Sequence, residues 1–166
     1  MIFPGRAYTP NHPLLYYARQ VLLTQGWSVE EVWWVPEDLV SDETVLRRME
    51  KVLDEVVGGA SLVVGKSLGS LAMPSVSKRG LSAIWLTPLF ELPDLVVASK
   101  VIVAKTLMVG GTADDSWDGN IARASGQQVL ELPGADHGLE VQGNPLASVG
   151  LLAEIIATMT QFVKSL

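Results

Sequence analysis

Leu62-Val63-Val64-Gly65-Lys66-Ser67-Leu68-Gly69-Ser70 is the stretch on which the reading of this chain turns. An apolar run stops at a glycine. A serine follows with glycines two residues to either side, and small and apolar residues then resume. This is the pattern of a buried strand that turns sharply into a helix. Each position in G-x-S-x-G has a reason. A serine on such a turn has a strained backbone, and its hydroxyl stands clear of the sheet. Side chains two residues away would collide with neighbouring backbone, hence the glycines. The next amide, that of Leu68, points into the same space at a helix N-terminus, where it can stabilise a developing oxyanion. Alone the pattern is weak, because glycine and serine are common. Its meaning depends on whether the chain supplies a base and an acid in the right places.

Outward from this stretch the chain alternates. Ile2–Phe3 is a very short apolar start, cut off by Pro4-Gly5. Residues 12–25 place Leu14, Leu15, Ala18, Val21 and Leu22 at helical spacing, with Pro13 in the first turn and Gly26 as the stop. Residues 27–35, rich in β-branched and aromatic side chains and ended by Pro36, read as a strand. Ser41 with Thr44 opens a helix through Val56, which Gly58-Gly59 ends. Residues 61–64 read as a strand. Residues 67–78 read as a helix despite Pro74, with Gly80 as its stop. Strands follow at 81–86 and within the second half of 101–109. A short helix is expected at 118–124, a strand at 127–132 and a closing helix at 146–162. Six strands with helix-length crossovers predict one α/β domain over 1–166, a three-layer α/β/α sandwich on a parallel sheet.

Composition bounds the function. The 166 residues are 48% apolar and 18% charged, with a net charge of -6. That suits a compact core and argues against an exposed nucleic-acid surface. There are no cysteines, which excludes disulfides, thiolate metal sites and a catalytic cysteine. Apolar runs of about five to eight residues are too short for membrane insertion. The N-terminus lacks the pattern of a secretory signal, so a cytoplasmic location is expected. No cofactor or metal is expected. The G-x-x-x-x-G-K-[ST] phosphate loop and G-x-G-x-x-G are both absent.

In parallel sheets, sites form beyond the C-terminal ends of the strands. The polar residues there are Gly5-Arg6, Ser67, Thr87, Asp114-Asp115 and Asp136-His137. Serine, acid and histidine each follow a separate strand, in that order. The segments Gly65–Ser70, Gly110–Asp115 and Gly134–Leu139 resemble the nucleophile, acid and histidine loops of small α/β-hydrolases, particularly the dienelactone-hydrolase-like group. The resemblance runs from Phe3 to the last helix. It implies a minimal hydrolase core with strand order 2-1-3-4-5-6, Ser67 as nucleophile, Asp114 as triad acid and His137 as general base. It also implies an oxyanion loop at Gly5 and Arg6, completed by Leu68. The expected activity is that of a serine hydrolase, carboxylesterase- or thioesterase-like, on a small acyl substrate.

The chain departs from that group in three ways. It begins at what would be the third strand, which leaves surface that a homo-oligomer contact is expected to cover. The H-G-G-G oxyanion segment is absent. Residues 87–100 are too few for a lid domain, so an open, shallow site is expected. Asp115 stands as an alternative to Asp114, and Asp118 reads as a cap. Arg6 would bind a substrate carboxylate or brace its loop against Asp118 or Glu91. His12 reads as exposed or capping, and Lys66 as solvated. Core packing accounts for Trp33 and Trp34, and Trp117 is a pocket wall or a cover over the triad. Two other functions compete: a catalytically silent binding or scaffold protein on the same fold, and a flavodoxin-like nucleotide-binding domain.

Overall fold

The computed structural model describes residues 1–56 and 59–166. Among these, five parallel strands form one sheet in sequence order: β1 (Ile2–Phe3), β2 (Leu62–Lys66), β3 (Ser82–Leu86), β4 (Thr106–Gly111) and β5 (Gln128–Leu132). Helices cover both faces. On one side lie α1 (Pro13–Thr24) and α6 (Pro145–Lys164). On the other lie α2 (Asp42–Glu55), α3 (Met73–Lys78), α4 (Pro93–Ser99) and α5 (Gly119–Ala124).

Strand alternation produces the two cores. Val63, Ala83, Trp85 and Met108 point to one face, where they meet Val45, Met49, Val76 and Leu95. Leu62, Val64, Ile84, Leu86, Leu107 and Val109 point to the other, against Leu15, Leu22, Ile155 and Phe162. Successive residues on a strand face opposite ways, so one apolar run feeds two layers.

The six-stranded order 2-1-3-4-5-6 is corrected at its second strand. Residues 27–35 lie beside β1, as expected, but form a single parallel bridge between Ile2 and Glu31. The Ile2 amide donates to Glu30 and the Val32 amide to Ile2. The reason is the partner. β1 ends after two residues because Pro4 has no N–H to continue a ladder. Trp34 packs on the core and donates to the Pro4 carbonyl at 3.1 Å, whereas Trp33 is 47% exposed, against the expectation that both are core.

The predicted helix over 67–78 divides in two. A 3-10 turn covers Ser67–Ala72, and α3 starts at Met73 with Pro74 in its first turn, where a missing N–H costs nothing. Ser41 caps α2, accepting from the Thr44 amide at 3.2 Å. Of the predicted stop at Gly58-Gly59, Gly58 lies outside the described residues; Gly59 has φ +76. The closing helix expected at 146–162 is α6, and its 20 residues are long and apolar enough by composition to cross a membrane, which the short apolar runs did not suggest. Its Ile155, Met159, Phe162 and Val163 are buried in the core that α1 and the sheet share.

Candidate active site

The C-terminal end of the sheet collects the three loops. At the end of β2, Ser67 has φ +50, a region that serine seldom enters and that lifts its side chain off the sheet. The flanking glycines permit this. A Cβ on Gly69 would collide with the Phe3 backbone, and one on Gly65 with the Trp85 ring. The G-x-S-x-G spacing is thus a packing requirement of a turn wedged between β1 and β3.

At the end of β4, Gly110 and Gly111 make room for the Trp117 ring and the Ala135 backbone respectively. The Ala113 amide donates to the Ala135 carbonyl at 2.9 Å, so the acid loop and the histidine loop are stitched together. Asp114 is 6% exposed, while Asp115 is exposed. Both carboxylate oxygens of Asp114 lie 2.9 Å from Nδ1 of His137, and Oδ1 also accepts from the Ser116 amide at 2.9 Å. Nε2 of His137 lies 2.8 Å from Oγ of Ser67. A carboxylate only accepts, so Nδ1 carries the imidazole proton and Nε2 accepts from the serine hydroxyl. The structure therefore brings Ser67, His137 and Asp114 into one hydrogen-bonded line, and leaves Asp115 outside it.

The loop after β1 is more divided than expected. The Gly5 amide donates to the Tyr8 carbonyl, so it is already engaged. Among the described residues, the Arg6 and Leu68 amides donate to no acceptor. The Arg6 guanidinium turns away from Ser67, to the Leu39 carbonyl at 3.0 Å and Asp42 at 3.3 Å. Asp42 replaces both bracing partners expected for it. Asp118 caps α5 through the Asn120 and Ile121 amides, and Glu91 accepts from the Ser116 hydroxyl. Trp117 packs on Phe90 and donates to Glu131, which makes it a brace for the acid loop. His12 is exposed and accepts from the Thr9 amide at Nδ1.

Sequence reasoning missed Lys66. It is 2% exposed, and its ammonium donates to Oγ1 of Thr87 at 2.6 Å and to the His137 carbonyl at 3.0 Å. Burial pushes this lysine down to about 8, against the attraction of Asp114 and Asp136. The available signal was a lone charge closing an apolar strand, one residue from the turn. Tyr8 lies beside it, pushed up to about 12, chiefly by burial. A cleft of about 620 Å³ lies elsewhere: Met1, Trp27, Val32, Arg48 and Leu62 line it at the start of β2, away from Ser67.

Solved structures share this architecture. Est1E from Butyrivibrio proteoclasticus superposes with a TM-score of 0.78 at 12% identity, over 99% of this chain and 86% of that one. An α/β serine hydrolase homologue from Coxiella burnetii gives 0.65 at 13% identity, over 96% and 81%. A lidless α/β serine hydrolase from Xanthomonas campestris gives 0.64 at 13% identity, over 99% and 80%. This chain has the α/β-hydrolase fold. No family profile and no curated protein sequence matches it. In this chain Ser67 follows β2, Asp114 follows β4 and His137 follows β5. Between β3 and β4, where a lid would be inserted, the helix is the seven-residue α4.

Proposed function

We propose that this protein is a serine hydrolase of small esters or thioesters that works through an acyl-enzyme on Ser67. The observation that carries the reading is the line from Asp114 through His137 to Ser67, with donor–acceptor distances of 2.8 and 2.9 Å. A serine hydroxyl is a weak nucleophile until a base takes its proton as it attacks.

In the proposed reaction, Oγ of Ser67 attacks the substrate carbonyl while Nε2 of His137 takes the hydroxyl proton. Asp114 holds the Nδ1–H tautomer and stabilises the imidazolium that forms. The Arg6 and Leu68 amides receive the oxyanion; among the described residues both lack acceptors, Leu68 follows Ser67 in the chain, and Gly5, which precedes Arg6, lies against Ser67. The imidazolium then protonates the departing alkoxide or thiolate. Water, deprotonated by His137, attacks the acyl-enzyme and releases the acid and Ser67. No group beyond these residues is needed.

Substrate size follows from the surroundings. The His137 side chain is 41% exposed, which suits an open site. A recess of about 160 Å³ borders the histidine loop, lined by Tyr8, Leu14, Leu139 and Leu152. It fits a small apolar group. Est1E has also been solved with ferulic acid bound, so an aryl ester belongs in the substrate panel. A silent scaffold reading would gain from a His137 turned away from Ser67; the 2.8 Å contact between them supports the hydrolase reading instead.

Fluorophosphonate labelling, followed by short-chain p-nitrophenyl esters, acyl thioesters and a ferulate ester, tests the reading. The probe is expected on Ser67, and Ser67→Ala should lower kcat by ~10⁴-fold or more. Full esterase activity in Ser67→Ala would end the proposal.

A further inference from the structure

We propose that Lys66 is a positioning residue: its ammonium ties the His137 carbonyl to the Thr87 side chain and so holds the imidazole against Ser67. This rests on the hydrolase reading above, but the anchoring itself is a separate physical claim.

A buried ammonium is costly unless its donors are taken up. Here two go to Thr87 and His137, and the ring of Tyr8 lies 5.3 Å from the nitrogen on a further side. Thr87 has φ +47, which is strained for a β-branched residue, and it is in this conformation that its hydroxyl reaches the ammonium. The histidine loop is also locked internally. Oδ1 of Asp136 accepts from the Gly138 and Glu140 amides at 2.8 and 3.1 Å. A loop that is stiff inside moves as a unit, and its attachments to neighbouring segments set its orientation. The Ala135 carbonyl is one attachment. Lys66 supplies another at the histidine's own carbonyl, between the strand that carries the nucleophile and the loop that carries the base.

The charges facing Lys66 are Asp114 from the acid loop and Asp136 from the histidine loop, with neutral Tyr8 from the β1 loop and the His137 carbonyl close by. Proton loss from the ammonium weakens both charge-assisted bonds. Activity should therefore decline as pH rises through about 8, where burial has placed this group.

The test compares the wild type with Lys66→Met and Thr87→Val. It measures kcat and KM on p-nitrophenyl acetate across that pH range, and hydrogen exchange at the Gly138, Leu139 and Glu140 amides. Lys66→Met should lower kcat by about 10- to 100-fold, the scale of a small misplacement of a catalytic group. KM should stay within about threefold. The alkaline decline should vanish and the loop amides should exchange faster, with β2 and β4 unchanged. Thr87→Val, which keeps the charge, should shift the same readouts less, and it decides the matter if Lys66→Met does not fold. Wild-type kcat, pH profile and exchange in the variants would overturn the anchoring and leave the hydrolase reading standing. An inert, unlabelled wild type whose loop loosens in Lys66→Met would do the reverse.

Discussion

The β1 edge and the centre of the sheet follow the same propensities and end differently. Residues 27–35 have the composition of a strand, yet they meet a partner two residues long and make one bridge. β2 and β3 pair without a break from Leu62↔Ser82 to Lys66↔Leu86, and β4 and β5 from Leu107↔Gln128 to Gly111↔Leu132. Strand propensity describes side chains that fit a pleated surface. A strand also needs a partner of matching length. Where pairing is complete, the strand ends are fixed, and the loops that leave them can hold side chains to within tenths of an ångström. The proposed active site should therefore be brittle at the centre and indifferent at the edge.

The largest effect that sharpens this contrast involves two neighbours. Asp114 and Asp115 differ by one position, but only Asp114 is turned inward onto Nδ1 of His137. Asp114→Asn should cost ~10⁴-fold in kcat, because the amide favours the wrong imidazole tautomer. Asp115→Asn should stay within about twofold, as surface changes away from a site do. Steady-state kinetics on one ester suffices. Comparable losses in both variants would mean that the loop, rather than a single carboxylate, orients the histidine.

That pair also marks how far the sequence could be read. Ser67 and His137 stood out because each follows a strand and sits among glycines whose packing is local. The choice between Asp114 and Asp115 was not legible, since it depends on Gly111 admitting the Ala135 backbone from another loop. The strand at 27–35 was misread because what limits it is Pro4, in the partner. Lys66 was misread as solvated because its burial comes from Thr87, Tyr8 and the 137 carbonyl, all distant in the chain. Local chemistry was readable; convergence of distant segments was not.

Lys66 provides the next largest effect, on stability. An unfolded lysine titrates near 10.4, whereas burial holds this one at about 8. Between these values the unfolded chain binds more protons than the folded one, so stability rises with pH. The penalty is present in full below pH 8 and lifts by up to roughly 3 kcal/mol toward pH 10. Tyr8 then reverses the slope: folded, it keeps its proton to about 12, while the unfolded tyrosine loses it near 10. Urea unfolding from pH 7 to 11 should show a maximum near pH 10, and Lys66→Met should flatten the rise. Stability and activity thus move oppositely above pH 8. A wild-type curve without the rise would place the Lys66 charge in contact with water.

The smallest effect probes where centre and edge meet. The β1 loop lies beside Ser67 at Gly5, yet its Arg6 side chain reaches outward to Asp42 at the start of α2. Arg6 and Asp42 are more than half exposed, so solvent screens the pair and their flexible side chains pay an ordering cost. Asp42→Asn should lower stability by on the order of 0.5 kcal/mol and leave kcat within about twofold. The backbone of this loop is held independently, by the Gly5 amide on Tyr8 and the Trp34 indole on Pro4. A tenfold loss of kcat in Asp42→Asn would instead mean that the ion pair sets the position of the Arg6 amide. The edge would then be part of the catalytic apparatus, and the contrast between a brittle centre and an indifferent rim would fail at this loop.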